Sequence, residues 1–166
     1  IKGIELLGEN DDHVFVQAGA GETWHDFVLY CIDKGWYGIE NLSLIPGNVG
    51  ASPMQNIGAY GVEVKDVFHE LEAVHISSGE THYFNKSSCE FGYRESVFKM
   101  DMKNQYLISS VSFKLSKKPN FSVEYGAIKQ ELDKMKVSEL TAKDISNAVI
   151  NIRSSKLPNP KVLGNA

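Results

Sequence analysis

No regular element can run through residues 45 to 61. The stretch reads Ile-Pro-Gly-Asn-Val-Gly-Ala-Ser-Pro-Met-Gln-Asn-Ile-Gly-Ala-Tyr-Gly, and its four glycines and two prolines erase both helical and strand periodicity. Its side chains are small and none is basic. A backbone of this kind approaches a flat or phosphorylated ligand closely, with N–H donors and no Cβ in the way. Tyr60 can stack on such a ligand or hydrogen-bond to it. Composition alone leaves a structural loop of tight turns equally open. Long loops without secondary structure are uncommon in compact domains unless they are functional or disordered.

Regular structure is expected on both sides of this loop. Val14-Phe15-Val16 is a short β-branched and aromatic run that predicts a buried strand, broken by Gly19-Ala20-Gly21. Thr23-Trp24-His25-Asp26 has capping-box spacing. Trp24, Phe27, Val28, Cys31 and Ile32 follow at helical spacing, with Gly35 as the stop. Cys31 lies on that stripe and is read as a small buried hydrophobe. Downstream, alternation over Leu71 to Ile76 and a Ser78-Gly79 turn into Thr81-His82-Tyr83-Phe84 predict a hairpin, across which His75 and His82 can meet. A longer strand should place Leu107, Ser109, Val111, Phe113 and Leu115 on one face, with Ser110, Ser112 and Lys114 on the other. Ile128, Leu132 and Met135 are in helical register. A second capping box, Thr141 to Asp144, opens a helix with the face Ile145, Ala148, Val149 and Ile152, stopped by Pro158 and Pro160. The class predicted is α/β (α+β): a mixed sheet with helices packed on it.

Composition narrows the function. The 166 residues suffice for one domain with a real core. With 17 basic and 21 acidic side chains and no Lys/Arg run, the chain is not expected to bind nucleic acid. No apolar stretch approaches the ~20 residues that span a bilayer, so membrane insertion is not expected. Cys31 and Cys89 are too few for a disulfide framework and lack zinc spacing, and the five histidines are scattered, so no metal is expected. Three sequons, at Asn41, Asn85 and Asn120, follow no signal peptide and are read as chance. A reducing, cytoplasmic setting is the expectation. The start at Ile1, without an initiator Met, suggests a piece of something longer. These residues leave the oligomeric state open.

Walker, Gly-x-Gly-x-x-Gly and Gly-x-Ser-x-Gly signatures do not occur. Two clusters besides the loop carry chemistry. Phe91-Gly92-Tyr93-Arg94-Glu95-Ser96 sets a phenol beside a guanidinium, which can fork onto a carboxylate or pair with Glu95 at the surface. Ile152-Arg153-Ser154-Ser155-Lys156-Leu157-Pro158 ends a helix with two cations, which the helix dipole alone would explain.

Taken in order, the three segments resemble the bacterial UDP-N-acetylenolpyruvoylglucosamine reductases, flavoenzymes of peptidoglycan precursor synthesis. The family pattern is close to Ile-Pro-Gly-x-Val-Gly-Ala-x-Pro-x-Gln-Asn-Ile-Gly-Ala-Tyr-Gly, and Ile45 to Gly61 follow it nearly throughout. Asn48 and Ser52 fall where the family varies. The match continues through the other two clusters to Gly164-Asn165-Ala166 and covers essentially the whole chain.

The resemblance implies an FAD-binding fold of the vanillyl-alcohol oxidase and p-cresol methylhydroxylase type. Its Pro-Gly loop, here Ile45, Pro46, Gly47, Val49, Gly50, Ala51, Ser52, Ile57, Gly58, Ala59 and Tyr60, would run along FAD and donate backbone hydrogen bonds. Arg153 would lie against the isoalloxazine, favouring the anionic reduced flavin. The reaction implied passes hydride from NADPH to FAD and then to the enolpyruvyl double bond of UDP-N-acetylglucosamine enolpyruvate, giving UDP-N-acetylmuramate. Hydride addition leaves carbanion character beside a carboxylate, so the site needs positive charge and a proton donor. Arg94 would supply the charge, with Tyr93 beside it. Lys156 and Tyr125 would hold the substrate diphosphate. Val123-Glu124-Tyr125-Gly126 is similar to the tyrosine-bearing loop of the family's type I branch.

The departures lie at the ends. The family's general acid is a serine in Gly-Asn-Ala-Gly-Ser, just past Ala166; its C-terminal glutamate, its substrate domain and its upstream glycine-rich diphosphate loop are likewise missing here. Residues 1–166 are therefore expected to be the second α/β subdomain of the FAD-binding domain, truncated at both ends and inactive alone. An oxygen-using flavin oxidase of the same fold and a non-catalytic flavin-binding module are the other readings.

Overall fold

The computed structural model describes residues 1–157. In chain order the elements are β1 (Ile4–Glu9), β2 (His13–Gly19), α1 (Trp24–Asp33), the short β3 (Gly58–Ala59) and β4 (Val62–Glu63), β5 (Phe68–His75), β6 (Thr81–Asn85), β7 (Tyr106–Ser116), α2 (Gly126–Met135) and α3 (Ala142–Lys156), with 3-10 turns at Glu40–Leu42, Val49–Ala51 and Val64–Asp66. Five strands form one sheet in the order β1-β2-β7-β5-β6. Each of its ladders is antiparallel. The arrangement is α+β.

Period-two patterning places the core. Val14, Val16 and Ala18 of β2 face Val111, Phe113 and Leu115 of β7, and all six are fully buried. Helix α1 lies on that face through Trp24, Phe27, Val28 and Cys31. The Phe27 and Phe113 rings stand 5.0 Å apart, and Trp24 lies within 5.9 Å of both. Cys31 is buried as its stripe predicts, and desolvation raises its thiol pKa far above the ordinary value.

The ends of α1 differ in how far they follow the sequence rule. Gly35 sits at φ +70° and donates to Ile32 O while Trp36 donates to Cys31 O, the paired bonds of a Schellman stop. At the start, Thr23 is extended but its hydroxyl makes no cap hydrogen bond; its backbone bridges to Asn48 instead. The expected capping box is therefore absent there. It is present on α3, where the Thr141 hydroxyl and the Asp144 carboxylate each accept the other's backbone N–H.

Strand β7 departs from its predicted alternation at one point. Glu72 pairs with Ser110 but Ala73 pairs with Ile108, so Ser109 is an extra residue, a β-bulge. Its hydroxyl donates to the Glu72 carboxylate at 2.6 Å. Beyond the bulge the faces exchange: Ile108 is buried, and Leu107, expected inward, is 62% exposed. The hairpin β5–β6 forms as predicted, and the His75 and His82 rings stack across it at 5.9 Å.

A second, smaller cluster joins Ile128 and Leu132 of α2 to Ala148, Val149 and Ile152 of α3, with Tyr60 packed against it. That contact sets the helix pair beside the irregular loop. Pro158 and Pro160, the expected stops of α3, lie outside the described residues.

Candidate functional site

The irregular stretch is pinned along its length rather than draped over the sheet. Its first half docks on the β2–α1 turn: Trp24 N–H donates to Gly47 O at 3.0 Å, Val49 N–H to Glu22 O at 2.8 Å and Gly50 N–H to Ala20 O at 3.0 Å. Gly50 is required there, because a Cβ would stand 2.5 Å from the Ala20 Cβ. In the second half Asn56 is fully buried at φ +41°; its side chain donates to Gly92 O at 2.9 Å and accepts from Lys65 N–H at 3.1 Å. β3 and β4 then form a hairpin whose two turn residues, Tyr60 and Gly61, have φ of +49° and +84°.

This path brings two distant cations into one place. A cleft of about 270 Å³ is lined by Ile45, Pro46, Gln55, Ile57 and Gly58 of the loop, by Arg94 and by Arg153. Arg94 sits in a tight turn at φ +58°, closed by the Gly92–Glu95 bridge. Its guanidinium donates to Asn56 O at 3.3 Å and to Gly58 O, over the Tyr93 ring. The carboxylate within ion-pair range of it is that of Glu63, at 3.8 Å, itself bound by Lys65 at 2.6 Å. Arg153 reaches the cleft from α3, donating from Nε to Leu44 O at 3.1 Å. Burial lowers its pKa, and the Tyr60 hydroxyl opposes that shift; burial raises the pKa of Tyr60, and Arg153 opposes it in turn.

A larger cleft of about 410 Å³ opens beside the same loop, with Asn48, Gly50, Ala51 and Met54 meeting Ala20 and the apolar side chains of Ile76, Phe98, Met102, Leu107 and Ile108. The loop thus borders one cleft carrying two guanidinium groups and another that is mostly apolar. Ser52 is 1% exposed, and its hydroxyl has no hydrogen-bond partner among the described residues. An orphaned buried hydroxyl on such a loop suits a polar ligand that completes it.

The residues singled out from sequence separate accordingly. Ile45, Pro46, Ile57, Gly58, Arg94 and Arg153 line the charged cleft, and Gly50 and Ala51 line the apolar one. Gly47 has open space where a Cβ would be. Ala59 lies in β3, and Tyr60 meets the Tyr125 ring edge-on at 5.5 Å. Val49 is a core residue. The N–H groups of Val49, Gly50, Ala51, Ser52 and Ile57 donate within the chain. Tyr93 is 81% exposed and does not line the charged cleft. Tyr125 is the exposed N-cap residue of α2, and Lys156 is exposed at the end of α3, one turn beyond Arg153. Sequence reasoning missed Gln55, Asn56 and Glu63, whose parts depend on contacts across the fold. Among the described residues no group of three or more His, Cys, Asp or Glu could hold a metal, and no helix is long and apolar enough to cross a membrane.

The FAD binding domain family matches residues 3–85. Similar curated proteins include the UDP-N-acetylenolpyruvoylglucosamine reductase of Amoebophilus asiaticus (strain 5a2), 57% identical over all of this chain and 49% of that protein. The protein of the same name from Flavobacterium johnsoniae is 55% identical over all of this chain and 50% of its own length. The chain spans about half the length of the curated relatives it matches. A crystal structure of UDP-N-acetylenolpyruvylglucosamine reductase (MurB) from Thermus caldophilus superposes with a TM-score of 0.63 over 86% of this chain and 44% of that one. At 23% identity that likeness speaks to the fold.

Proposed function

The chain belongs to the FAD binding domain family, and on that premise we propose that it is the flavin-holding part of a UDP-N-acetylenolpyruvoylglucosamine reductase. In this reading residues 1–166 form the second subdomain of the FAD-binding domain of a type I, cytoplasmic bacterial enzyme. The observation that carries the proposal is the convergence of Arg94 and Arg153 on the irregular loop in a single cleft.

The residues present fit FAD. Small side chains at Gly50 and Ala51 let a ligand approach the backbone, and Ser52 has a hydroxyl to satisfy. Arg153 is half-buried on the loop's other side, where a cation favours an anionic ring. The internal use of the N–H groups at 49–52 makes close approach, rather than a cradle of those donors, the loop's contribution. FAD, when bound, carries hydride from NADPH to the enolpyruvyl double bond.

In this reading Arg94 holds the substrate carboxylate. Its fork is aimed by the carbonyls of Asn56 and Gly58 and steadied by Glu63, so little reorganisation is needed as negative charge develops next to that carboxylate. Tyr93 packs under the guanidinium at 5.3 Å. Tyr125 and Lys156, both exposed, bind the diphosphate of UDP-N-acetylglucosamine enolpyruvate. The proton that completes the reduction comes from the family's serine, whose place in the pattern falls after Ala166.

The test uses the whole protein loaded with FAD, following NADPH oxidation with and without UDP-N-acetylglucosamine enolpyruvate in wild type and Arg94→Ala. Oxidation that requires the sugar and collapses in the variant is expected. Oxidation that ignores the sugar and consumes oxygen would make the protein an oxidase. A bound, yellow flavin without turnover would leave a binding module.

A further inference from the structure

The sequon at Asn41 is inside the protein. Asn41 is 1% exposed in the 3-10 turn Glu40–Leu42, and its side-chain amide donates to Tyr60 O at 3.1 Å and to Ser122 O at 2.8 Å. An amide NH₂ carries two protons, so both bonds form together. The two carbonyls belong to segments that are otherwise unlike. Tyr60 is the first of the two left-handed residues of the β3–β4 turn; Ser122 lies in the irregular run that leads to Tyr125 and α2.

The base of this clamp is rigid. The Glu40 carboxylate accepts from Gly38 N–H at 2.7 Å, and Trp24 Nε1 donates to Leu42 O at 2.9 Å. The Ser43 hydroxyl meets Ser146 Oγ of α3 at 2.7 Å. Asn41 is therefore fixed relative to α1 and α3, and what it holds is fixed with it. Next to it the Tyr60 and Tyr125 rings meet edge-on, and the Tyr60 hydroxyl interacts with Arg153.

We propose that Asn41 is a positioning residue that ties the Tyr125-bearing segment to the irregular loop through its two amide protons and thereby sets affinity for the substrate diphosphate. This rests on the reading that Tyr125 contacts that group. Without the amide, two part-buried carbonyls lose a shared donor and the segment gains freedom that substrate binding must remove. The loss falls on binding, because the Asn56 and Gly58 carbonyls hold Arg94 and the Leu44 carbonyl anchors Arg153, and the Asn41 amide donates to none of these three.

The test compares wild type, Asn41→Ala and Tyr125→Ala in the FAD-loaded whole protein. Backbone NMR order parameters in Asn41→Ala should fall from about 0.85 to below about 0.6 across residues 120–125 and stay unchanged across β7. The KM for UDP-N-acetylglucosamine enolpyruvate should rise about tenfold, with kcat and flavin reduction by NADPH alone within about twofold. Unchanged order parameters at 120–125 overturn the clamp, and so does a fall throughout the chain with a matching loss of flavin reduction. If Tyr125→Ala leaves KM unchanged, the reading of Tyr125 fails and the link to affinity with it, while the order parameters still report on Asn41 separately. Should Asn41→Ala not fold, Asn41→Ser, which keeps a polar group whose shorter side chain reaches neither carbonyl, should raise KM about tenfold as well; no rise overturns the proposal.

Discussion

Arg94 and Gly58 leave no room between them. The guanidinium donates from Nη2 to the Gly58 carbonyl, and a Cβ on Gly58 would stand 2.5 Å from Arg94 Nη1. The same Cβ would lie 2.9 Å from both Glu63 Cγ and Val62 O. Glycine at this position is thus a requirement of side-chain placement.

Gly58→Ala should therefore imitate loss of Arg94 function. The methyl displaces the guanidinium from its two carbonyls, and on the function proposed above the reductase turnover of the whole protein should fall by about 10²-fold. Arg94→Lys should lose a similar amount, since an ammonium cannot fork onto two carbonyls. Steady-state rates check both, and undiminished turnover in Gly58→Ala would show that the fork is dispensable.

His25 should make stability fall on mild acidification. Its Nδ1 accepts from Leu44 N–H at 3.0 Å, holding Leu44 at φ +57° where Arg153 uses its carbonyl. Burial lowers the His25 pKa, with Asp26 opposing. Because the folded value is depressed, the unfolded chain takes up the proton first as pH falls. Stability is complete above the unfolded value of about 6.5 and is lost as pH drops toward the folded one. Melting temperatures at pH 7.5 and 5.5 should differ more in wild type than in His25→Asn, whose amide oxygen accepts without titrating. Equal differences would remove His25 from the account.

Strong periodicity made most of the fold legible. β2, α1, the β5–β6 hairpin, most of β7 and the α2–α3 pair follow from where apolar side chains recur, because burial decides those elements. β1 was not legible: Ile4 to Glu9 forms an edge strand with a bulge at Leu7, and Leu6 and Leu7 are both exposed, so no alternation marks it. The Ser109 bulge escaped notice because it is set by pairing with Glu72, 37 residues away. In the site, the loop was visible as unusual local sequence, whereas Arg94 and Arg153 each had a local explanation, a surface pair with Glu95 and the helix dipole, and their roles were implied by the family resemblance. Their meeting depends on the paths of residues 56–63 and on α3, and the roles of Glu63, Asn56 and Asn41 are contacts across the chain that no local pattern announces.

Gly50→Ala should destabilise the protein. The added Cβ meets Ala20 Cβ at 2.5 Å and its Cα at 3.1 Å, backbone and short side chain that cannot swing aside. Overpacking of this kind costs about 1–3 kcal/mol. It should also loosen the Gly50 N–H bond to Ala20 O, and with it the docking of the loop on β2. Urea denaturation gives the loss, and an unchanged midpoint would mean that the turn after β2 yields freely.

The two capping boxes written in the sequence should behave differently when cut. Thr141→Ala removes a hydroxyl that accepts from Asp144 N–H at 3.2 Å and donates to the Asp144 carboxylate at 2.5 Å, at the start of the helix that carries Arg153. It should cost about 1 kcal/mol. Thr23→Ala removes an exposed hydroxyl that makes no cap bond. Its cost should stay within about 0.5 kcal/mol, as for a surface change that breaks no specific contact. Denaturation of the two variants side by side separates a cap that works from one that exists only as spacing, and equal losses would mean that the Thr23 hydroxyl caps α1 in solution.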